Sequence, residues 1–245
     1  MIIKDREAFF ANPKEALLEI SNMLSCGGKF YPTDLYTSSI INRAMAINDA
    51  YFRLTKLNNY VAAAPYVRMQ MDNCISCYAG LIIDEKHMLK FINHFIAGKD
   101  LYKFKDANKN SMYEKYVVQE LNKRYPMFKK GYEYYNDMIH LSNQHFQSAH
   151  SMKNGRMQIA FEQGSYYTEE EISCHNNNIC VVNKQLADML IKLWLPYKEE
   201  KLEQLEKKQQ EENIPMNQVI RNLIKDYPEI LDLLTRKGGS VQNIV

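Results

Sequence analysis

The sequence predicts a mainly α-helical protein: a multi-helix bundle with a small β-hairpin insertion and a C-terminal helical extension. Along most of the chain, apolar residues recur every three or four positions, which is the period of an amphipathic helix. The 245 residues include only 9 Gly and 7 Pro, too few for the many tight turns of a sandwich or barrel. Hydrophobic residues make up 46% and charged residues 24%, a balance that favours a compact chain over a disordered one.

Start and stop signals divide the first 151 residues into six helices. Asn12 supplies a capping side chain before Pro13, and Gly27-Gly28 ends the first helix. The other five predicted helices run from Pro32-Thr33-Asp34 to about Leu57, from near Val61 to Ile82, from Asp84 to about Gly98, from Ser111 to Tyr125, and from Pro126 to about Ser151.

The pattern changes after the sixth predicted helix. Residues 156–162 alternate apolar with polar and Gly164 follows, so we predict the β-hairpin within residues 155–170. Helical spacing returns from Ile179 to Gln210, and a last helix is predicted from about Met216 to Leu234. The sequence therefore predicts a bundle domain over residues 1–178 and a C-terminal helical hairpin or extension over residues 179–245.

Composition and termini predict a cytoplasmic protein that does not enter a membrane. The first residues become charged within four positions and lack the apolar stretch of a secretory signal. The longest uncharged apolar runs fall well short of the ~18 residues that span a bilayer. Five cysteines, an odd number, are typical of reduced thiols. The net charge of +2 gives no strong electrostatic case for nucleic acid.

Polar side chains occur beside the apolar faces of the third and sixth predicted helices. Arg68 and Asp72 are spaced by four residues on one helix, while Tyr135, Ser142 and His145 lie on the inward face or its edge on the other. An unpaired buried polar group costs about 1–3 kcal/mol, so we expect the Arg68–Asp72 pair to bond to Ser142 and His145 across the interior.

Two interpretations of this cluster stay open. The first is a structural network that ties two long helices together. The second is a functional pocket in which His145 is the general acid or base, Arg68 binds an anion such as phosphate, and Asp72, Tyr135 and Ser142 contact the ligand.

Two stretches and one tyrosine carry a family resemblance. They are Pro65-Tyr66-Val67-Arg68-Met69-Gln70-Met71-Asp72, then Tyr135, then Leu141-Ser142-Asn143-Gln144-His145-Phe146-Gln147-Ser148. Together they resemble a group of uncharacterised bacterial helical proteins. That group has affinities with abortive-infection proteins and with HEPN helical domains, many of which cleave RNA. The resemblance covers roughly residues 35–150. It implies a helical fold, a role in bacterial antiviral defence and RNA as a partner.

The resemblance has one departure. HEPN nucleases carry an Arg followed closely by a His on the same helix, and this chain has no Arg with a His four to six residues after it. Either Arg68 substitutes from a neighbouring helix, with His145 as acid and base of a metal-independent ribonuclease, or the catalytic site is absent.

The cysteines and histidines offer a weak zinc pattern. Their number is sufficient for a four-ligand zinc site, which could be drawn from Cys74, Cys77, Cys174, His175 and Cys180. However, Cys74 and Cys77 fall among apolar residues of a helix, where thiols commonly serve as small core side chains. We predict no metal and no cofactor.

The tail has an alternative interpretation. Residues 191–224 are similar to the strand, helix and helix of ribbon-helix-helix DNA-binding proteins, which would make the chain a DNA-binding dimer. Lys192 is the one basic residue of the candidate strand, and six glutamates between residues 199 and 212 repel phosphate. A plain helical hairpin is favoured, with a protein partner or a homodimer contact through the C-terminal helices.

Taken together, the sequence predicts a helical binding or sensor protein in bacterial antiviral defence. Its polar cluster either is structural or contacts RNA or a small anionic ligand. The ribonuclease and the DNA-binding dimer are the alternatives, and whether the protein is an enzyme stays open.

Overall fold

The protein is an all-α bundle with one small β-hairpin, which confirms the predicted fold class. The computed structural model describes residues 13–25, 32–83, 85–99, 104–106, 108–140, 149–153, 155–159, 167–194 and 203. Within these ranges the elements are α1 (Pro13–Ser25), α2 (Pro32–Lys56), α3 (Tyr60–Ile82), α4 (Glu85–Ile96), α5 (Glu114–Arg124), α6 (Phe128–Asp137), β1 (His150–Lys153), β2 (Arg156–Ile159) and α7 (Glu169–Met189), which continues as a π-helical turn over Leu190–Trp194.

Helices α2 and α3 form the antiparallel pair on which the bundle is built. A three-residue connection joins them, and the side chain of Asn59 accepts the Ala62 N–H at the start of α3. The hydroxyl of Tyr36, early in α2, donates to the carbonyl of Ser76, late in α3, at 2.5 Å. The two helices therefore run in opposite directions, as a short connection between helices requires.

The core surrounds α3, which packs against α2, α4, α5, α6 and α7. Val67, Met71 and Ile75 of its predicted apolar seam are buried. Tyr36, Tyr51 and Trp194 are among the largest fully buried side chains and come from α2 and from the end of the last described helix. Helix α2 and the residues that follow α7 thus share one hydrophobic core.

Helix α7 begins ten residues earlier than predicted. Thr168 accepts the Glu171 N–H, and the Glu171 carboxylate accepts the Thr168 N–H, forming a capping box that starts the helix. The predicted domain boundary at 178/179 falls inside α7, and His175 before it and Ile179 after it are both buried in the bundle. Residues up to 194 therefore belong to the bundle. Of the predicted C-terminal extension beyond them, only Glu203 is among the described residues.

The hairpin is present, but it lies nearer the N-terminus than predicted. Lys153 pairs with Arg156 and His150 with Ile159 in an antiparallel ladder, and the connection between the strands includes Gly155, whose φ is 71°. The first strand occupies residues that the sequence assigned to the sixth helix. The helical spacing of apolar residues continues past the end of the sixth helix, so spacing alone predicted a helix that is too long.

The sixth helix is shorter than predicted because it ends at Asp137, not near Ser151. Its last backbone bonds are of the tighter i to i+3 type, with Met138 N donating to Tyr135 O and Ile139 N to Asn136 O, both at 3.2 Å. Met138 is buried, whereas Ile139, which the helical period placed inward, is 46% exposed. Asn136 and Asp137 are weak helix formers and were the overlooked stop signal.

The fifth helix also begins later than predicted. Ser111, the predicted cap, forms an isolated β-bridge with Lys105, and Tyr113 is the residue that precedes Glu114 at the helix start. Backbone pairing of Ser111 in this bridge accounts for the later start. Across the part of the chain that is described, no helix combines the length and apolar character needed to cross a membrane.

We expect Gly80→Ala to destabilise the protein by about 1–3 kcal/mol, because overpacking a filled core forces side chains or backbone to move. An added Cβ at Gly80 would lie 2.7 Å from Trp194 Cζ2 and 3.0 Å from Tyr36 Cε1. The matched control is Gly131→Ala in α6, where the added Cβ meets only Met71 Cε at 3.4 Å.

The control substitution should stabilise the protein by roughly 0.5–1 kcal/mol, since alanine favours a helix interior over glycine. Urea denaturation of both variants measures the difference. Equal stabilities for the two variants would contradict the close packing of Trp194 on α3.

Candidate ligand-binding cleft

Arg68 is a buried cation that joins three helices. On α3 its Nη1 donates to Oδ1 of Asp72, one turn later on the same helix, as predicted. Its Nη2 donates to Glu114 Oε1, at the first residue of α5. The guanidinium carbon lies 3.9 Å from the ring centroid of Tyr132 on α6, and the Tyr132 hydroxyl donates to the same Glu114 oxygen at 2.7 Å. We call these four residues the Arg68 cluster.

The cluster keeps its central cation charged. Burial lowers the pKa of Arg68, but the neighbouring Asp72 and Glu114 outweigh burial and the pKa is raised overall. Burial, together with the nearby Glu114 carboxylate, raises the pKa of Asp72 overall, although the adjacent Arg68 guanidinium lowers it. Burial, and then the hydrogen bond to Glu114, raises the pKa of Tyr132 to about 12. Both terminal nitrogens of Arg68 are thus engaged, so a phosphate would have to displace a carboxylate to reach them.

A cleft of about 620 Å³ opens beside the cluster. Asp72 and Glu114 are part of its wall, and their carboxylates are partly exposed. The cleft is lined by side chains from α2 to α5 and from the segment before α5: Ser39, Ile40, Arg43, Asp72, Asn73, Ile75, Ser76, Ala79, Phe95, Met112, Glu114 and Val117. It therefore combines three charged groups with a mainly apolar surface, the usual composition of a small-molecule site.

Arg43 is the cation that faces this cleft. Its Nη1 donates to Asn73 Oδ1 at 2.5 Å and to the carbonyl of Met69 at 3.3 Å. These contacts attach an otherwise mobile, exposed side chain of α2 to α3. They hold its charge at the wall of the cleft, near enough to Asp72 to lower the pKa of that carboxyl.

Asn73 is also the first member of a buried amide series that runs from the cleft into the core. Asn73 Nδ2 donates to Gln70 Oε1 at 3.0 Å, and Gln70 Nε2 donates to Asn183 Oδ1 at 2.6 Å. Asn183 and Asn48 exchange two hydrogen bonds of 2.8 and 3.1 Å. All four amides are buried. Because each is satisfied by the next, the series fixes α2, α3 and α7 in one register.

Tyr135 belongs to a different cluster from the one predicted. Its hydroxyl accepts a hydrogen bond from Asn178 Nδ2 at 3.0 Å and lies 2.9 Å from His175 Nδ1. The tautomer of His175 decides which of these two groups donates to the other. His175 is 1% exposed, and within the described ranges Nε2 has no hydrogen-bond partner. Tyr135 thus joins α6 to α7.

Of the predicted four-residue cluster, the structure shows only the pair on α3. Arg68 and Asp72 are paired, whereas Ser142 and His145 lie outside the described residues, so the proposed acid–base role of His145 stays a prediction. Sequence reasoning missed Glu114, Arg43 and the amide series. Gln70 and Asn73, two amides spaced by three in an apolar helix, were the one signal that pointed to the series.

No group of three potential metal ligands comes together among the described histidines, cysteines and acids. Cys74 and Cys77 are buried in α3, and burial raises the pKa of Cys77 to about 12. The indole N–H of Trp194 donates to Cys77 Sγ at 3.1 Å. These two thiols are core side chains, as the sequence favoured.

The first element of the ribbon-helix-helix alternative is helical. Residues Leu190–Trp194 form a π-helical turn, and Trp194 is 1% exposed in the core. The strand with which this interpretation begins is therefore wrong for residues 191–194. The indole of Trp194 instead anchors this turn against Gly80 and Cys77. The two helices of that interpretation lie outside the described residues.

Comparisons with protein-family models, curated proteins and solved structures find no match to this chain. The resemblance to abortive-infection and HEPN proteins stays a prediction from the sequence.

We expect stability to fall as the pH drops from 7 to 5 because of His175. Burial lowers the pKa of His175, and Glu171 only partly opposes this effect. Below the ordinary histidine pKa of about 6.5, the unfolded chain binds a proton that the folded chain resists, so acid favours unfolding. Each pH unit costs at most about 1.4 kcal/mol, which gives a loss of up to about 2 kcal/mol at pH 5.

Urea denaturation at several pH values measures this effect. His175→Asn keeps an acceptor near Nδ1 but does not titrate, so its stability should depend less on pH than that of the natural protein. His140→Asn, at an exposed position just after α6, is the control and should keep the natural pH dependence. An unchanged pH dependence in His175→Asn would contradict the neutral, buried state of this imidazole.

Proposed function

We propose that the protein is a small-molecule-binding or sensor protein and that the cleft beside the Arg68 cluster is its binding site. The observation that supports this most directly is the combination of about 620 Å³ of space with Arg43, Asp72 and Glu114 on its wall. A binding site needs a few placed polar groups on an apolar surface, and this cleft supplies both.

The charged groups of the cleft are fixed before any ligand arrives. Arg68 holds Asp72 and Glu114, and Asn73 holds Arg43. Ordering long side chains at the moment of binding costs about 0.5–1.5 kcal/mol each, a cost that these contacts remove. Preorganisation of this kind favours a binding role for the polar network, in addition to its structural role.

The ribonuclease alternative gains nothing from the position of Arg68. Arg68 is 5% exposed, and both of its terminal nitrogens hold carboxylates. Its Nε has no partner among the described residues but is buried, whereas a phosphate-binding arginine needs accessible donors. Arg43 is the exposed guanidinium of this region. The role in antiviral defence, RNA as a partner and the cytoplasmic location stay predictions from the sequence.

A thermal-shift screen with a library of small polar and amphipathic metabolites tests the cleft. Ser39 is an exposed residue of α2 that lines it, and Ser39→Trp should block it. Ala46→Trp is the matched control, since Ala46 is exposed two turns later on the same helix and is not part of the lining. We expect at least one compound to raise the Tm of the natural protein and of Ala46→Trp, but not of Ser39→Trp.

Two results would contradict the proposal. One is a screen in which no compound raises the Tm of the natural protein. The other is a set of binding compounds that stabilise Ser39→Trp as strongly as Ala46→Trp, because the ligands would then bind elsewhere.

A further inference from the structure

The cleft is charged at one end and apolar at the other. Asp72 and Ala79 both line it and are seven residues apart on α3, which separates them by roughly 10 Å along the helix axis. Tyr36 lies against Gly80, the residue after Ala79, and Phe95 of α4 packs edge-on against Tyr36, with ring centroids 4.7 Å apart. Tyr36 lies two turns from Arg43 on α2. The apolar end is therefore about 10 Å from the charged end, and an amphipathic molecule fits this layout.

The charged end carries both signs, each with unused hydrogen-bonding capacity. Arg43 uses Nη1 for Asn73 and Met69, and within the described part of the chain its Nη2 and Nε make no further contact. Asp72 uses Oδ1 for Arg68, and Glu114 uses Oε1 for Arg68 and Tyr132. Among the described residues, the second oxygen of each carboxylate accepts no hydrogen bond, and both residues line the cleft.

A ligand head of one sign matches only part of this wall. An anion that pairs with Arg43 approaches Asp72 and Glu114, and a cation that pairs with the carboxylates approaches Arg43. In both cases the like charges repel and the remaining groups lose water without gaining a partner. A head that carries one positive and one negative charge on neighbouring atoms satisfies both sides.

We propose that the ligand is a zwitterionic α-amino acid with a large apolar side chain. Its carboxylate pairs with Arg43, its ammonium group lies between Asp72 and Glu114, and its side chain extends towards Ala79 and Phe95. This inference rests on the proposed function of the cleft and names the class of molecule that the cleft binds.

Isothermal titration calorimetry of the full chain with L-phenylalanine, L-leucine and L-methionine tests the proposal. Two analogues of phenylalanine separate the charges: phenethylamine lacks the carboxylate and 3-phenylpropionate lacks the ammonium group. We expect each analogue to bind the natural protein about tenfold or more weakly than L-phenylalanine, since a charge-assisted hydrogen bond of about 1.5–3 kcal/mol is lost.

Variants assign each charge to its partner. Arg43→Gln should weaken L-phenylalanine about tenfold or more, because a carboxylate partner is lost. It should not weaken phenethylamine, whose ammonium group is relieved of repulsion by Arg43. Glu114→Gln should weaken L-phenylalanine but not 3-phenylpropionate, whose carboxylate is relieved of repulsion by Glu114. The matched controls, Arg53→Gln on α2 and Glu120→Gln on α5, remove the same charges from surface pairs with Asp49 and Lys123 and should bind normally.

Glu114→Gln also removes a partner of Arg68, so circular dichroism must confirm that this variant is folded. The comparison of L-phenylalanine with its two analogues uses the natural protein and does not depend on this variant. Failure of all three amino acids to bind at millimolar concentration overturns the proposal. So does equal affinity for L-phenylalanine and both analogues, or an Arg43→Gln variant that binds L-phenylalanine normally. Cleft-dependent binding of other metabolites alone would leave the proposed function in place, whereas no cleft-dependent binding contradicts both.

Discussion

The ion pairs of Arg68 are the interaction on which the arrangement of this bundle depends. A guanidinium in a helix core is costly to desolvate, and removing one partner of a buried ion pair typically costs about 3–5 kcal/mol. Here the cost is offset by Asp72 on the same helix, by Glu114 at the start of α5 and by the ring of Tyr132 on α6. Because each partner comes from a different place in the chain, the charge of Arg68 is satisfied only when α3, α5 and α6 are assembled together.

The same contacts shape the cleft. Arg68 lies behind its wall and holds two carboxylates there, while Asn73, the first member of the buried amide series, holds Arg43 near them. Two of the three charges of the cleft, those of Asp72 and Glu114, are therefore positioned by a residue that does not itself line it, whereas Arg43 is held by Asn73, which does. Under the proposed function, the same polar network is both a structural element and a support for binding, the two interpretations that the sequence alone left open.

The helical spacing of apolar residues predicted the fold class and the long helices α2 and α3. Each of these two helices has an apolar stripe along most of its length, so its presence and approximate ends could be predicted. The pair Arg68 and Asp72 was predictable because an i to i+4 spacing is local. Glu114 was not, since 46 residues separate it from Arg68 and only tertiary packing brings them together. Helix α7 was missed at its start because three consecutive asparagines, residues 176–178, have low helix propensity, although the capping box at Thr168 was visible in the sequence.

A double-mutant cycle between Arg68 and Glu114 tests the central claim most directly. Urea denaturation of Arg68→Met, Glu114→Gln and the double variant gives their coupling free energy, which we expect to be about 1–2 kcal/mol given the partial exposure of Glu114. The same cycle on the exposed pair Arg53 and Asp49 should give no more than about 0.5 kcal/mol. Additive effects of the two substitutions at Arg68 and Glu114 would contradict the assembly of α3 and α5 through this guanidinium.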